Sequence, residues 1–363
     1  MLSPSVSRTG GGVFEALLAQ VALARALGHE PIAFGLDDEH VAADRVRFGD
    51  TEVVAQPVLG PRGVGFAPKL LDALVAADLD LLHLHGIWMY PSAAAARWAR
   101  RTGRRYIVSP HGMLDPWIVS RGRVKKLIAR IAYERASWAA ATLFHALTEA
   151  EAADVRWQTG RDAVAIVPNA TGVGAAPLPA ADRERTILYL SRIHPKKNVA
   201  ALVDGWSALA RDGALDGHRL LICGWGDAGD IAKLEAQLRG SDPGAIAFLG
   251  PVFGEEKARL IASARYLVLP SLSEGLPMAI LEAWAAGTPT IMTEGCHLPI
   301  GFATGAAIDC GVQVESIAAA LRQALAAGDA EWSRRSDAAR ALAETRFAPA
   351  LIARQWNDIY SDR

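Results

Sequence analysis

Pro270-Ser271-Leu272-Ser273-Glu274-Gly275-Leu276-Pro277-Met278-Ala279-Ile280-Leu281-Glu282-Ala283-Trp284-Ala285-Ala286-Gly287 is the stretch whose reading decides the fold. Residues 266–269, just before it, are a short apolar run of the kind a buried parallel strand shows. Residues 271–275 read as a turn, and Pro277 suits the first helical position, where no backbone N–H is missed. Gly287 followed by Pro289 closes the helix. Glu274 is therefore expected at the mouth of the strand and Glu282 inside the helix, about 12 Å further on at 1.5 Å per residue. The free N–H groups of the helix N-terminus lie between them and suit a diphosphate. The two carboxylates are spaced like the sugar and the ribose of a nucleotide-diphosphate sugar, so one can hold sugar hydroxyls and the other ribose hydroxyls. An ordinary strand–turn–helix with two solvated acids is the alternative, and Glu-Gly, the Pro and the Leu-Glu-Ala helix together weigh against it.

Ser-Glu-Gly-x-Pro followed by Leu-Glu-Ala-x-Ala-x-Gly-x-Pro resembles the Glu-x7-Glu signature of the family 4 retaining glycosyltransferases. The resemblance runs along nearly the whole chain. It implies an α/β protein of the GT-B fold, in which two Rossmann-like domains face each other across a cleft and a C-terminal helix returns to the first domain. The expected boundaries are 1–172 for the N-terminal, acceptor-side domain, 173–347 for the nucleotide-sugar-binding domain and 348–363 for the returning helix.

Bulk properties agree with two domains, since 363 residues exceed what one core usually sustains. Hydrophobic residues make up 51% and charged residues 21%, a globular balance, and a net charge of −1 gives no reason to expect nucleic-acid binding. Cys223, Cys296 and Cys310 form neither metal-ligand nor redox spacing, and their odd number argues against a disulfide framework. No apolar run approaches a membrane span and no signal peptide is evident. The expected location is the cytoplasm, or the inner face of the plasma membrane.

In the N-terminal half, Gly10-Gly11-Gly12 opens a helical pattern that stops at Gly28. A glycine loop at a helix start lets backbone approach a ligand, and the resemblance places Gly11 and Gly12 near donor phosphate. Met1-Leu2-Ser3-Pro4 is too short for the usual first strand, so a clipped strand or a misassigned start site is expected, which leaves part of the sheet edge open. Residues 79–85 and 106–109 read as strands, and their carboxyl ends fall where open α/β sheets bind ligands. His83 and His85 are read as core or loop histidines. His111, followed by a glycine at a strand end, matches a His-Gly segment whose histidine approaches the donor sugar in the resembling family. Asp78-Leu79-Asp80 precedes a strand rather than ending one and reads as an exposed loop, so no catalytic metal is expected.

Between Ile87 and Ala146 there are eleven Lys and Arg residues but two acids, Asp115 and Glu134. In residues 121–138, Val124, Leu127, Ile128 and Ile131 share one helical face, crowded by Arg123, Lys125, Lys126 and Arg130. Such a helix can lie on anionic lipid or pack on its own sheet. A peripheral membrane contact from Arg121 to Arg135, or an acidic lipid-phosphate acceptor, follows from the first reading.

In the C-terminal half, residues 164–167 read as a strand and 172–182 as a linker rich in Ala, Pro and Gly. Residues 186–190 start the second sheet, and Arg192 and Lys197 on the loop after it are spaced to clamp a diphosphate. Lys196 reads as a solvated neighbour and His194 is unassigned. Glycine turns at 224–227 and 250–254 follow further strands, and backbone contact with a nucleobase through Gly224 and Val252 is expected, with αβ punctuation as the alternative. Gly275 and Leu276 complete the donor-binding set beside Glu282.

The expectation is thus a retaining, metal-independent hexosyltransferase without cofactor, with His111, Glu274, Arg192 and Lys197 catalytic. It would move sugar from a nucleotide-diphosphate donor (UDP, GDP and ADP remain open) to a glycan or lipid-linked acceptor hydroxyl. Bacterial polysaccharide or lipopolysaccharide synthesis is implied by resemblance alone. The rivals are a nucleotide-sugar epimerase or phosphorylase on the same fold and a catalytically silent sugar-nucleotide-binding partner.

Overall fold

Among the described residues, six short strands in each half of the chain build two parallel sheets. The computed structural model describes residues 1–172, 177–239 and 246–361; part of the expected linker (173–176) and the last two residues of the expected C-terminal helix lie outside the described residues. One unit comprises Met1–Val167 with Ala353–Arg363, the other Pro168–Ile352.

The second unit carries β7 (Glu184–Leu190), β8 (Arg219–Cys223), β9 (Ile246–Gly250), β10 (Ala264–Leu269), β11 (Thr290–Met292) and β12 (Ala307–Asp309), all pairing parallel. Their spatial order is β9-β8-β7-β10-β11-β12. That is the doubly wound order, in which the winding reverses between the first and fourth strands and leaves a crevice at their carboxyl ends. Here the reversal falls between β7 and β10, with Leu188 opposite Leu267. Both residues are fully buried, as covering a parallel sheet on both faces requires.

The first unit carries β1 (Ala33–Leu36), β2 (Val53–Gln56), β3 (Leu81–His85), β4 (Arg105–Ser109), β5 (Leu143–Ala146) and β6 (Val164–Ile166). β1 pairs with β2, and β3 to β6 lie in sequence. Leu2 joins the two groups, bridging Phe34 on one side and Leu84 on the other. Its N–H donates to the His83 carbonyl and its own carbonyl accepts from the His85 N–H, both at 2.8 Å. The clipped first strand expected from the sequence is a single-residue bridge, and it lies inside the sheet rather than at its edge, one buried leucine with both backbone groups paired standing between two strands.

The helix Pro349–Ser361 delivers Trp356 and Tyr360 to the core of the first unit. The Gln20 amide donates to the Tyr360 hydroxyl at 2.6 Å, and that hydroxyl lies 3.1 Å from His83 Nδ1. His83 Nε2 lies 2.7 Å from Ser109 Oγ, which lies 2.7 Å from His145 Nδ1. Burial holds all three rings in the neutral form: His83 is pushed far below its usual range, His85 likewise, and His145 down to about 4.

The single helix read over residues 121–138 is three pieces: Arg123–Ala129, a π-helical turn Arg130–Glu134, and Arg135–Ala140. The π turn swings Glu134 inward, where its Oε1 accepts the Trp88 N–H at 2.5 Å. A helix that must bury one carboxylate while keeping an apolar stripe outward gains that freedom from the widened turn.

Candidate functional site

At the reversal point of the second sheet, two loops meet. The loop after β7 turns through a 3₁₀ segment, Pro195–Lys197, capped by His194, whose Nδ1 accepts from the Lys196 N–H at 3.1 Å. Lys196 is half-buried rather than solvated, and its carbonyl accepts from the Leu272 N–H at 2.9 Å. Lys197 points across the reversal. Its ammonium lies 2.5 Å from both carboxylate oxygens of Glu274, on the loop after β10. Ser271 Oγ donates to Glu274 Oε1 at 2.6 Å, and the Glu274 N–H is taken by the Gly295 carbonyl at 2.8 Å. A largely buried carboxylate with three hydrogen bonds is fixed in place. Arg192, in the same loop as Lys197, is exposed, and its guanidinium has no ion-pair partner among the described residues.

The helix Met278–Ala285 begins one residue later than expected: Pro277 is its N-cap, in extended conformation. Helical rise therefore covers only the second half of the interval from Glu274 to Glu282. Gly287, at φ +66°, ends the turn that follows. Arg183 donates to the carbonyls of Ala286 and Gly287 at 2.9 and 3.3 Å, so a buried cation satisfies the helix end. Glu282 lies 2.7 Å from the ammonium of Lys257 on the neighbouring helix Gly254–Ser263. The pair borders a groove of about 720 Å³ walled by Ile261, Met278 and Ala285. The sequence reading missed Lys257, because the pairing runs between two helices and leaves no local spacing. Gly275 is half-buried with open space where a Cβ would stand, whereas Leu276 is buried.

Gly224 and Gly226 serve packing. A Cβ on Gly224 would lie 1.9 Å from the Ser191 carbonyl oxygen and one on Gly226 2.3 Å from that of Ile193, so only glycine lets the β8 loop support the Arg192 loop. Val252 is buried. Trp225 and Phe253, one on each glycine loop, are 55% and 66% exposed with ring centroids 6.2 Å apart. The sequence reading passed over this aromatic pair in favour of the glycines.

In the first unit the glycine loop follows Leu2 at that sheet's own reversal. Ser7 and Thr9 hydroxyls each donate to Asp38 Oδ2 at 2.7 Å, and Arg8 grips buried Asp44. The Arg8 guanidinium and N–H hold the Asp44 carboxyl at about 2. Gly11 and Gly12 are exposed, with nothing within 4 Å of a Cβ on either. His111, after β4, has φ +54° and lies 3.0 Å through Nε2 from His85 Nδ1. Asp78 and Asp80 are exposed, and Asp78 pairs with Arg104 at 2.8 Å. All three cysteines are free and buried, and burial raises the thiols of Cys223 and Cys296 to about 11 and 12.

The apolar face of the basic helix does not pack on its own sheet. Val124 is 72% exposed, Leu127 56%, Ile128 62% and Ile131 64%. Lys126 departs from the expected basic fringe, turning in to donate to the Ile118 carbonyl. Among the described residues no helix is long and apolar enough to cross a membrane.

Two family models match in succession: "Glycosyl transferase 4-like domain" over residues 11–170 and "Glycosyl transferases group 1" over residues 184–327. The chain belongs to the family 4, group 1 glycosyltransferases. This glycosyltransferase is 30% identical over 159 residues to the O-antigen chain mannosyltransferase B of Escherichia coli, a match covering 44% of this chain and 41% of the relative. It is 29% identical over 186 residues to the amylovoran biosynthesis glycosyltransferase AmsK of Erwinia amylovora, covering 48% and 44%. The chain thus spans less than half the length of these curated relatives. In fold it is similar to Anabaena HepE in complex with UDP and glucose, with a TM-score of 0.77 at 16% identity, covering 100% of this chain and 99% of the other. It is also similar to the lipopolysaccharide outer core galactosyltransferase WaaB, with a TM-score of 0.73 at 17% identity and the same coverage. The glycosyltransferase has the GT-B fold, with two Rossmann-like units.

Proposed function

We propose that this glycosyltransferase moves a hexose from a nucleotide-diphosphate donor to an acceptor hydroxyl with retention at the anomeric carbon, without a metal, in the synthesis of a bacterial surface polysaccharide or lipopolysaccharide. The observation that carries this reading is Lys197 held on Glu274 across the reversal point, with the cation of Arg192, unpaired among the described residues, in the same loop. An incoming diphosphate competes for Lys197 and Arg192, and the helix N-terminus near Leu276 adds partial positive charge. Lys197 drawn to phosphate releases Glu274 to hold sugar hydroxyls. Glu282, with Lys257 beside it, takes the ribose. Trp225 and Phe253 offer aromatic faces to the base, while Gly11, Gly12, Gly224, Val252 and Gly275 allow backbone approach. His111 meets the donor sugar. Rate then comes from charge placed where the leaving diphosphate develops it, and that phosphate takes the acceptor proton. The named relatives in O-antigen and amylovoran synthesis support the pathway.

A thermal-shift panel of UDP, GDP and ADP sugars, followed by transfer assays with and without excess EDTA, tests the proposal. Product with the donor's anomeric configuration, formed equally with chelator, is expected. An inverted product, or activity lost to EDTA and restored by Mg²⁺, would overturn the corresponding part.

The exposed stripe supports a lipid surface as partner. Four aliphatic side chains face solvent together beside Arg121, Arg123 and Lys125. Trp157, on the neighbouring helix whose Gln158 carbonyl accepts from Arg130, is exposed as well. Apolar insertion and attraction to anionic headgroups then act on one face.

A further inference from the structure

Two buried side chains converge on His111, and neither belongs to the donor-holding set. His85 ends β3; its Nδ1 lies 3.0 Å from His111 Nε2, with the two rings inclined by 18°. Its other nitrogen, Nε2, is buried and has no hydrogen-bond partner among the described residues. Glu151 approaches from the helix Glu149–Thr159. Its Oε1 accepts the Gly112 N–H at 2.6 Å and its Oε2 the Leu147 N–H at 2.8 Å. The peptide after His111 is thereby pinned while His111 and Gly112 stand at φ +54° and +74°. A non-glycine residue keeps such a backbone only where its surroundings hold it.

The bond between the two imidazoles carries one proton, and burial decides whose it is. A neutral imidazole has one N–H and one bare nitrogen. Were His111 the donor, the proton of His85 would sit on Nε2, a buried N–H with nothing to receive it. Orphaned buried N–H groups are rare, and unmet acceptors less so. With His85 donating from Nδ1, its bare Nε2 needs no acceptor. His111 then accepts at Nε2 and keeps its own proton on Nδ1. His111 is half-buried, and its Nδ1 makes no hydrogen bond with the described residues.

We propose that His85 and Glu151 are positioning residues that set His111 as an Nδ1–H donor, aimed at an oxygen of the donor sugar. The inference rests on His111 meeting that sugar, as proposed above. A ring so fixed orients a sugar hydroxyl and cannot take a proton from the acceptor at Nδ1, which leaves that task to the departing phosphate. The same proton placement explains why a histidine sits at the end of β3, where a bulky apolar side chain would fill the space but donate nothing.

Nitrogen-15 NMR of the imidazole groups in the full chain at neutral pH reads the placement directly. The His111 signal is expected to show a protonated Nδ1, and in His85→Phe to lose that preference. In the transfer assay, His85→Phe and Glu151→Gln should each lower kcat about tenfold or more, as small displacements of a reacting pair do. His85→Asn, whose amide can donate from near the Nδ1 position, should recover most of the rate. A protonated Nε2 on His111 in the wild type would overturn the inference whatever the variants do. So would His85→Phe with wild-type kcat beside a His111→Ala that is inactive. If His111→Ala itself transfers at the wild-type rate, the reading of His111 as a sugar contact fails, while the NMR still decides the proton placement.

Discussion

His145 Nε2 donates to the carbonyl of Val167 at 2.8 Å, and this bond fixes the direction of every other bond in its chain. A carbonyl only accepts, so neutral His145 has a bare Nδ1 and Ser109 donates to it. Ser109 then accepts from His83 Nε2–H, which leaves His83 Nδ1 to receive the Tyr360 hydroxyl proton, and Tyr360 accepts from Gln20. Five bonds thus run in one direction from Gln20 to Val167.

Tyr360→Phe should therefore cost more than one hydrogen bond. It strands the Gln20 amide and the buried Nδ1 of His83, each of which was paired only through that hydroxyl among the described residues. A loss of about 1–3 kcal/mol is expected, read as a lower urea midpoint. A midpoint equal to the wild type would mean that the chain is not formed.

Glu274 and Glu282 should differ in kind. On the proposed assignment Glu282→Ala removes a ribose contact far from the reacting bond, so donor binding should weaken about tenfold, or about 1.4 kcal/mol, with turnover of bound donor little changed. Its pair with Lys257 is nearly one-third exposed, so folding stability should move by less than about 1 kcal/mol. Glu274→Ala should mainly slow transfer. It should also destabilise the fold by a few kcal/mol, because Lys197, 18% exposed, is left without its carboxylate. Equal loss of donor affinity in both variants, with unchanged turnover, would refute the assignment.

Glu134 should give stability an unusual dependence on pH. Burial pushes its carboxyl up to about 7 from 4.5. Between those values the folded chain holds a proton that the unfolded chain has released, so stability falls as pH rises from 4.5 towards 7, by up to about 3 kcal/mol. The buried histidines act with the opposite sign. Their folded values lie below 6.5, so their contribution is present above 6.5 and is lost as pH falls through the acid range. Denaturant unfolding of wild type and Glu134→Gln at pH 5 and pH 8 separates the two. The variant should gain relative to wild type at pH 8, and parallel curves would exclude a buried titrating Glu134.

The proposed lipid contact should follow charge and apolar area together. Co-sedimentation with anionic vesicles should fall with salt, each exposed cation contributing about 1 kcal/mol. Lys125→Glu and Ile128→Asp should each weaken it, whereas Lys126, bonded inward to Ile118, should matter less. Failure of the wild type to sediment, or indifference to Ile128→Asp, would assign the stripe another use.

What the sequence revealed was what neighbours along the chain decide. The spacing of Glu274 and Glu282, the strand before them and the glycine after them all lie within one strand–loop–helix, and so were legible. Lys257 on Glu282, Glu134 under Trp88 and Glu151 on Gly112 pair residues from separate elements, and no local pattern marks them. Periodicity placed Val124, Leu127, Ile128 and Ile131 on one face but could not say what covers it; the fold answers that no part of its own sheet does. The clipped first strand was legible at Leu2, but its place between two strands is set by pairing with Phe34 and Leu84, far along the chain.

The return of Ala353–Arg363 to the first unit has a consequence for synthesis. The unit that leaves the ribosome first is completed last. Residues 168–352 are translated between its two parts, roughly 10–40 s of elongation at about 5–20 residues per second. During that interval His83, His145 and Gln20 lack Tyr360 and Trp356, and the nascent sheet waits with an open seam. A fragment ending at Val167 should therefore capture a peptide of residues 349–361 in trans, while the same peptide carrying Tyr360→Phe should bind it more weakly.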